Sequence, residues 1–187
     1  MKIAIVTGAS SGMGREYAKL ADASGDYGEI WLIARREERL AALAETLETP
    51  ARVLPLDLTR RNAAPLVKEQ LEQRAAGDEA FEVGLLVNAA GFGKFGTFED
   101  MGLDEVDDMI DLNCRALVDL TQTALPFMRR GARILEFASS AGFQPLPGLN
   151  VYAASKAFVI SYTRALRREL HGRGIRITAV CPIWIKT

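Results

Sequence analysis

The chain has 187 residues, 49% apolar and 25% charged, with a formal net charge of -1. That length suits one domain with its own core, and the balanced charge gives no electrostatic case for nucleic acid or an anionic membrane surface. No apolar run nears the ~20 residues that span a bilayer. The opening MKIAIVTGAS passes from a short apolar run straight into glycine, so it reads as a first strand and not as a leader, and a cytoplasmic protein is expected. Cys114, Cys181 and the single histidine, His171, form no ligand cluster, so no metal site is expected. The two cysteines read as buried free thiols, and His171, before Gly172, as a cation near a helix C-terminus.

In chain order, residues 2–7 read as a buried strand and 12–24 as a helix, followed by a strand at 29–34. Residues 37–47 are helical, with Leu40, Leu43, Ala44 and Leu47 on one face. A strand at 52–56, a helix at 64–74 and a strand at 83–87 follow. A glycine-rich loop at 91–96 leads into one long helical stretch from about 103 to 128. The chain then gives a strand at 133–138, a helix at 152–170 and a strand at 176–181. Continuous Val/Ile/Leu runs with helical crossovers predict an α/β fold, a doubly wound parallel sheet of Rossmann-like type in a single domain. Ligands of such sheets bind beyond the carboxyl ends of the strands, so the residues just after each strand carry the functional question.

After the first strand stands Thr7-Gly8-Ala9-Ser10-Ser11-Gly12-Met13-Gly14, a Gly-x-x-x-Gly-x-Gly turn between strand and helix. Its glycines let the backbone approach a pyrophosphate, and the free N–H groups of the helix start face the anion. The second strand ends at Ala34 and is followed by Arg35 and Arg36. Dinucleotide folds that take NAD place an acid near this point for the ribose 2′-hydroxyl. Guanidinium there can grip a 2′-phosphate instead, so NADP(H) is expected, with Arg35 as its main contact and Arg36 beside it. Asp57-Leu58 follow the third strand, where the carboxylate can accept from an adenine amino group or cap a helix. Asn88-Ala89-Ala90-Gly91 follow the fourth, small enough for a ligand to lie against the strand end.

Tyr152 and Lys156 are four apart and share one helix face. A phenol near pKa ~10 exchanges protons poorly at neutrality, and a nearby ammonium makes it a usable acid/base for alcohol–ketone interconversion. The glycine turn, Asn88–Gly91, Asn113, Ser139 and Tyr152-Ala-Ala-Ser-Lys156 occur together in this order and spacing. Jointly they resemble the short-chain dehydrogenase/reductase family, in its shorter single-domain branch, over essentially the whole chain.

The resemblance implies that Ser139 bonds the substrate oxygen, in preference to Ser140, and that Tyr152 passes the proton. It also implies that Lys156 assists Tyr152 and binds the nicotinamide ribose, and that Asn113 helps hold a water linking Lys156 to solvent. From the residues alone, Asn113 reads as a helix-interior polar group or a local kink. The chain departs from the family pattern in having Ala89 for a second asparagine and Ile183 after Pro182 where the family has glycine. It also ends at Thr187, the position that touches the nicotinamide carboxamide in the family, so a longer natural protein with a substrate lid is expected. Phe92, Phe95, Phe98 and Phe143 suggest a hydrophobic carbonyl/secondary alcohol substrate, such as an acyl chain, steroid or aromatic ketone, or else pack the loops against the core. The alternative function is an NADP(H)-binding regulatory protein without turnover. The helices near 103–128 and 152–170 match the family's dimer interface, so a homo-oligomer, dimer or tetramer, is expected.

Overall fold

A computed structural model describes residues 1–183. Six parallel strands form one sheet in the order β3-β2-β1-β4-β5-β6: β1 Lys2–Thr7, β2 Glu29–Ala34, β3 Ala51–Pro55, β4 Glu82–Asn88, β5 Arg133–Phe137 and β6 Arg176–Val180. The chain runs outward from β1 through β2 to β3, then returns to β4 on the other side of β1 and runs outward again. The topological switch therefore lies between β1 and β4, where a crevice opens at the carboxyl ends of the strands.

Both faces of the sheet are covered. Helices α1 (Gly12–Ser24) and α2 (Glu37–Ala44) pack Ala18, Ala21, Leu40 and Leu43 on one face against Val6, Leu32 and Val87. Helices α3 (Ala63–Gly77), α5 (Leu117–Ala124) and α6 (Asn150–Glu169) pack Val67, Leu71, Leu120 and Leu166 on the other against Ile5, Leu86 and Ile134. Each fully buried Ile or Leu contributes about 1.5–3 kcal/mol relative to exposure. This explains why β1 and β2 are apolar without alternation: a strand covered on both faces has no wet side. The small residues Gly14, Ala18 and Ala21 on the inner face of α1 let that helix lie close to the sheet.

The strands and helices predicted from the sequence are present, with three instructive differences. Helix α2 stops at Ala44 and not at residue 47. The Thr46 amide and hydroxyl both donate to Leu43 O (2.9 and 2.7 Å), and Asp22 of α1 accepts from the amides of Glu48 and Thr49 (3.2 and 2.7 Å). Strand β3 is shifted one residue, and Pro55 sits on it without harm because β3 is an edge strand of the sheet. The stretch expected as one helix from 103 to 128 is divided. It comprises α4 (Leu103–Ile110), a π-helical segment Asp111–Ala116, α5, and a 3₁₀ turn Leu125–Phe127 that contains Pro126. Apolar spacing alone does not report such a widening, which accompanies hydrogen bonds of Asn113 to residues distant in the chain.

Candidate active site

The glycine turn is built as a backbone surface. Gly8 has φ +65°, and a Cβ there would stand 2.9 Å from Ala89 O. A Cβ on Gly14 would stand 2.4 Å from Gly8 O, inside any permissible contact. The turn thus closes tightly against the end of β4, and Thr7 secures the join: its Oγ1 accepts from the Ala90 amide at 3.0 Å. Thr7 escaped the sequence reading because it looks like one more strand residue. The N–H groups of the first turn of α1 have no intrahelical partner and are available to an anion.

A cleft of about 460 Å³ runs along this turn, lined among others by Gly12, Met13, Gly14, Arg35, Asp57 and Ala90. Gly8, Ser10, Ser11, Arg36, Leu58, Ala89 and Gly91 also line it, so most of the predicted dinucleotide contacts are gathered in one place. Asn88 is different. Its side chain is 2% exposed and turns into the core, where Nδ2 donates to Thr121 Oγ1 (3.0 Å) and Glu136 Oε2 (3.1 Å), so only its backbone remains near the cleft. Of the two arginines after β2, it is Arg36 that reaches the glycine turn, donating to Ser10 Oγ (3.0 Å) and Ser11 Oγ (2.9 Å). Arg35 lies on the Asp57 side. Burial works against the Asp57 charge, but the Thr59 hydroxyl and amide, with Arg35 and Arg60, outweigh it and hold the carboxyl below its usual range. Asp57 Oδ1 accepts from the Thr59 amide (3.0 Å) and hydroxyl (2.8 Å), so of the two roles open to it, the local turn cap is visible directly.

The second half of the site centres on α6. Lys156 is 5% exposed, and its ammonium donates to Phe137 O at 2.7 Å. The same nitrogen stands 5.7 Å from the centroid of the Tyr152 ring. Burial lowers the Lys156 pKa to about 8, against opposing influences from Cys114, Glu136 and Cys181. The 3₁₀ turn Ser140–Phe143 lies directly on α6: a Cβ at Gly142 would be 2.7 Å from the carbonyl carbon of Lys156. That approach holds Ser139, whose Oγ accepts from the Ala141 amide at 3.2 Å. The Ser140 amide donates to Pro182 O (3.0 Å), tying the turn to the segment after β6, where Ile183 is exposed. Thr187 lies outside the described residues.

Asn113 is 1% exposed and completes the assembly. Its carboxamide exchanges two hydrogen bonds with the Phe92 backbone (2.8 and 3.0 Å) and donates to Ser155 Oγ (3.1 Å). Ser155 in turn donates to Tyr152 O at 2.7 Å. The π-helical segment sets Asn113 where it can clamp the glycine loop onto α6, the kind of irregularity that recurs at functional sites. The loop backbone passes so close that a Cβ on Gly93 would meet the Tyr152 ring at 2.7 Å, and one on Gly91 would meet Asn113 Oδ1 at 2.8 Å. Ser155, Thr121 and Glu136 were not foreseen. Glu136 carried a signal all the same, being the one carboxylate in the strand Arg133–Phe137, among Ile134, Leu135 and Phe137. Cys114 and Cys181 are free thiols, half-buried where full burial was expected.

A parallel sheet with a glycine cradle at its switch point, and a serine, tyrosine and lysine gathered beside it, defines a dinucleotide-dependent oxidoreductase. The family model described as short chain dehydrogenase matches residues 2–187, and the chain belongs to that family. The chain is similar to sulfoacetaldehyde reductase 2 of Chromohalobacter salexigens, at 41% identity over 188 residues, which is 96% of this chain and 71% of that protein. In structure it is similar to a short-chain dehydrogenase from Streptomyces avermitilis, with a TM-score of 0.88 and 31% identity over 100% of this chain and 66% of that one. It is also similar to a short-chain dehydrogenase from Sphingobium yanoikuyae in complex with NADPH, with a TM-score of 0.85 and 30% identity over 100% of this chain and 72% of that one. Among the described residues, no helix is long and apolar enough to cross a membrane, and no group of three or more His, Cys, Asp or Glu could hold a metal ion.

Proposed function

We propose that residues 1–187 form an NADP(H)-binding catalytic domain that interconverts a carbonyl and a secondary alcohol. The observation that carries this reading is the buried Lys156 ammonium, anchored on Phe137 O and 5.7 Å from the Tyr152 ring on the same helix face. Tyr152 exchanges the proton with the substrate oxygen, which Ser139 holds by hydrogen bond. Lys156 assists Tyr152 and holds the nicotinamide ribose. Asn113 fixes the loop over the tyrosine and helps order water toward Lys156. The bound nicotinamide supplies or accepts the hydride. Pro182 borders the nicotinamide end.

Fit to a dinucleotide is supported by the turn at Gly8 and Gly14, which a Cβ would fill, and by the small Ala89-Ala90 pair opposite. NADP(H) in preference to NAD(H) is supported by Arg35 and Arg36, with Ala34 where an acid would otherwise meet the ribose. The exposure of Phe95, Phe98 and Phe143 (63%, 79% and 62%) speaks for an apolar substrate over loops packed on the core. We place the protein in the cytoplasm as a homodimer through α4, α5 and α6, where Ile110 and Phe158 are exposed.

The test is reduced-cofactor absorbance over a panel of bulky ketones, simple aldehydes and an anionic aldehyde, with NADPH and NADH. Turnover with NADPH on the bulky ketones, falling at least ~100-fold in Tyr152→Phe, is the expected result. Binding of NADPH without turnover on any carbonyl would instead make this a regulatory NADP(H)-binding protein. Preference for the anionic aldehyde would overturn the apolar assignment, and preference for NADH the assignment of the two arginines.

A further inference from the structure

Only two carboxylates are buried among the described residues, Glu29 and Glu136. Glu29, at the start of β2, is paired with Arg74 and Arg52. Glu136 is 0% exposed, and its hydrogen-bond partners are neutral: Asn88 of β4 and Thr121 of α5. A buried charge without a contacting cation is costly, and such a group takes its neutral form instead.

The proton inventory of the cluster points the same way. Thr121 has one hydroxyl proton but lies 2.7 Å from Leu117 O and 2.9 Å from Glu136 Oε1, and it can donate to only one of them. A proton on Glu136 Oε1 completes the set. Glu136 then donates to Thr121, Thr121 donates to Leu117 O, and Asn88 Nδ2 donates to Glu136 Oε2 (3.1 Å) and to Thr121 Oγ1 (3.0 Å). Each short contact is then used once, with no donor shared. Burial raises the Glu136 pKa to about 7, against lowering influences from Thr121, Asn88 and Lys156.

The cluster adjoins the reactive pair. Glu136 immediately precedes Phe137, whose carbonyl anchors Lys156, and Lys156 is the cation that acts on Glu136. Helix α6 also presents the buried Tyr162 hydroxyl; burial first, then Glu136, pushes its pKa up to about 12, against lowering influences from Gln122 and Thr121. From β6, Ala179 pairs with Glu136 in register, and the neighbouring titratable group is Cys181, which acts on Lys156 together with Cys114. Among the described residues, Lys156 is therefore the one group of opposite charge that Glu136 answers to.

We infer that Glu136 is a positioning residue of the catalytic centre: a carboxylic acid buried against Asn88 and Thr121, whose ionisation keeps Lys156 charged as the pH rises. This rests on Tyr152 and Lys156 being the reactive pair. When Glu136 loses its proton to solvent, the charge it gains favours the Lys156 ammonium, which burial alone would discharge. Tyr152 thereby keeps its cationic neighbour over a wider pH range.

Two measurements on Glu136→Gln test this, since the carboxamide stands in permanently for the neutral acid. The first is the urea midpoint between pH 5 and 7.5. A carboxyl whose folded pKa is raised contributes stability that is full below its unfolded value near 4.5 and is lost as pH rises through about 7. The wild-type midpoint is therefore expected to fall over this range relative to the variant. Parallel curves would overturn the proposal. The second is the pH profile of kcat for alcohol oxidation. Without the carboxylate, the alkaline limb is expected to move about one pH unit lower, roughly a tenfold change at fixed pH, with substrate KM unchanged. A limb that stays in place would also sink the idea. Thr121→Val, which removes a donor to the ionised form, is expected to shift the limb the same way by less, and it carries the test if Glu136→Gln fails to fold. If no variant or wild type turns over a substrate, the functional reading fails, while the urea series still decides where Glu136 holds its proton.

Discussion

The two halves of this molecule hold their ligand groups by different means. On the β1–β3 side, the cradle is backbone: a glycine turn, a helix start and two small alanines opposite. Its buried polar side chains are few, Thr7, Ser10 and Glu29. On the β4–β6 side, the site is a connected set of buried side chains, including Asn88, Asn113, Thr121, Glu136, Ser155 and Lys156. The first kind of site depends on the absence of atoms, and damage should appear as lost affinity. The second depends on paired donors and acceptors, and damage should appear as lost stability and turnover together, because an orphaned buried group costs its full desolvation.

The sharpest separation is expected at Asn113. Asn113→Ala removes three hydrogen bonds that join the loop to α6. At about 1 kcal/mol each, the loss is ~3 kcal/mol, or a fall in Tm of ~6–12 °C by thermal unfolding. kcat should drop in parallel, while dinucleotide affinity changes by less than about tenfold. A variant that binds no cofactor yet melts like wild type would reverse the comparison.

Gly14→Ala is the counterpart on the other side. Its Cβ would meet Gly8 O at 2.4 Å, so the turn must open. Overpacking of this kind costs about 1–3 kcal/mol, expected here as ~10- to ~100-fold weaker NADPH binding by fluorescence titration. Wild-type affinity in that variant would mean that the turn does not bear the pyrophosphate.

Arg36→Ala probes the polar end of the same cradle. A charge-assisted bond contributes about 1.5–3 kcal/mol, so NADPH binding should weaken by ~10-fold or more while NADH binding barely changes. If Arg35→Ala has that effect and Arg36→Ala does not, the side chain bridging Ser10 and Ser11 is a support and not the grip. The smallest effect is expected far from both halves, at Asp22, which accepts the amides of Glu48 and Thr49. The Thr49 amide leads in holding its carboxyl below the usual value near 3.8. Its stabilisation is therefore present above that pH and lost as the pH falls through the lowered folded value. Asp22→Asn should flatten the acid end of the stability curve and leave kcat unchanged.

Much of this was legible in the chain. The fold followed from apolar runs alternating with helical spacing, and the cradle from three glycines between a strand and a helix, because backbone sites are written in local sequence. Tyr152 and Lys156 were legible for the same reason, lying one helical turn apart. Ser139 and Asn113 were reached by family resemblance, and only as isolated positions. The sequence by itself determined the layers of the sheet, the glycine turn that follows β1 and the pair on α6. Tertiary structure alone decided that the long helix widens at Asn113, that Asn88 faces the core and not the cleft, that Arg36 spans to the glycine turn, and that Glu136 lies buried beside the residue that anchors Lys156. The physical reason is common to all four. Each arrangement involves hydrogen bonds between residues 19 to 48 positions apart, and such pairings carry no periodicity for a linear pattern to report.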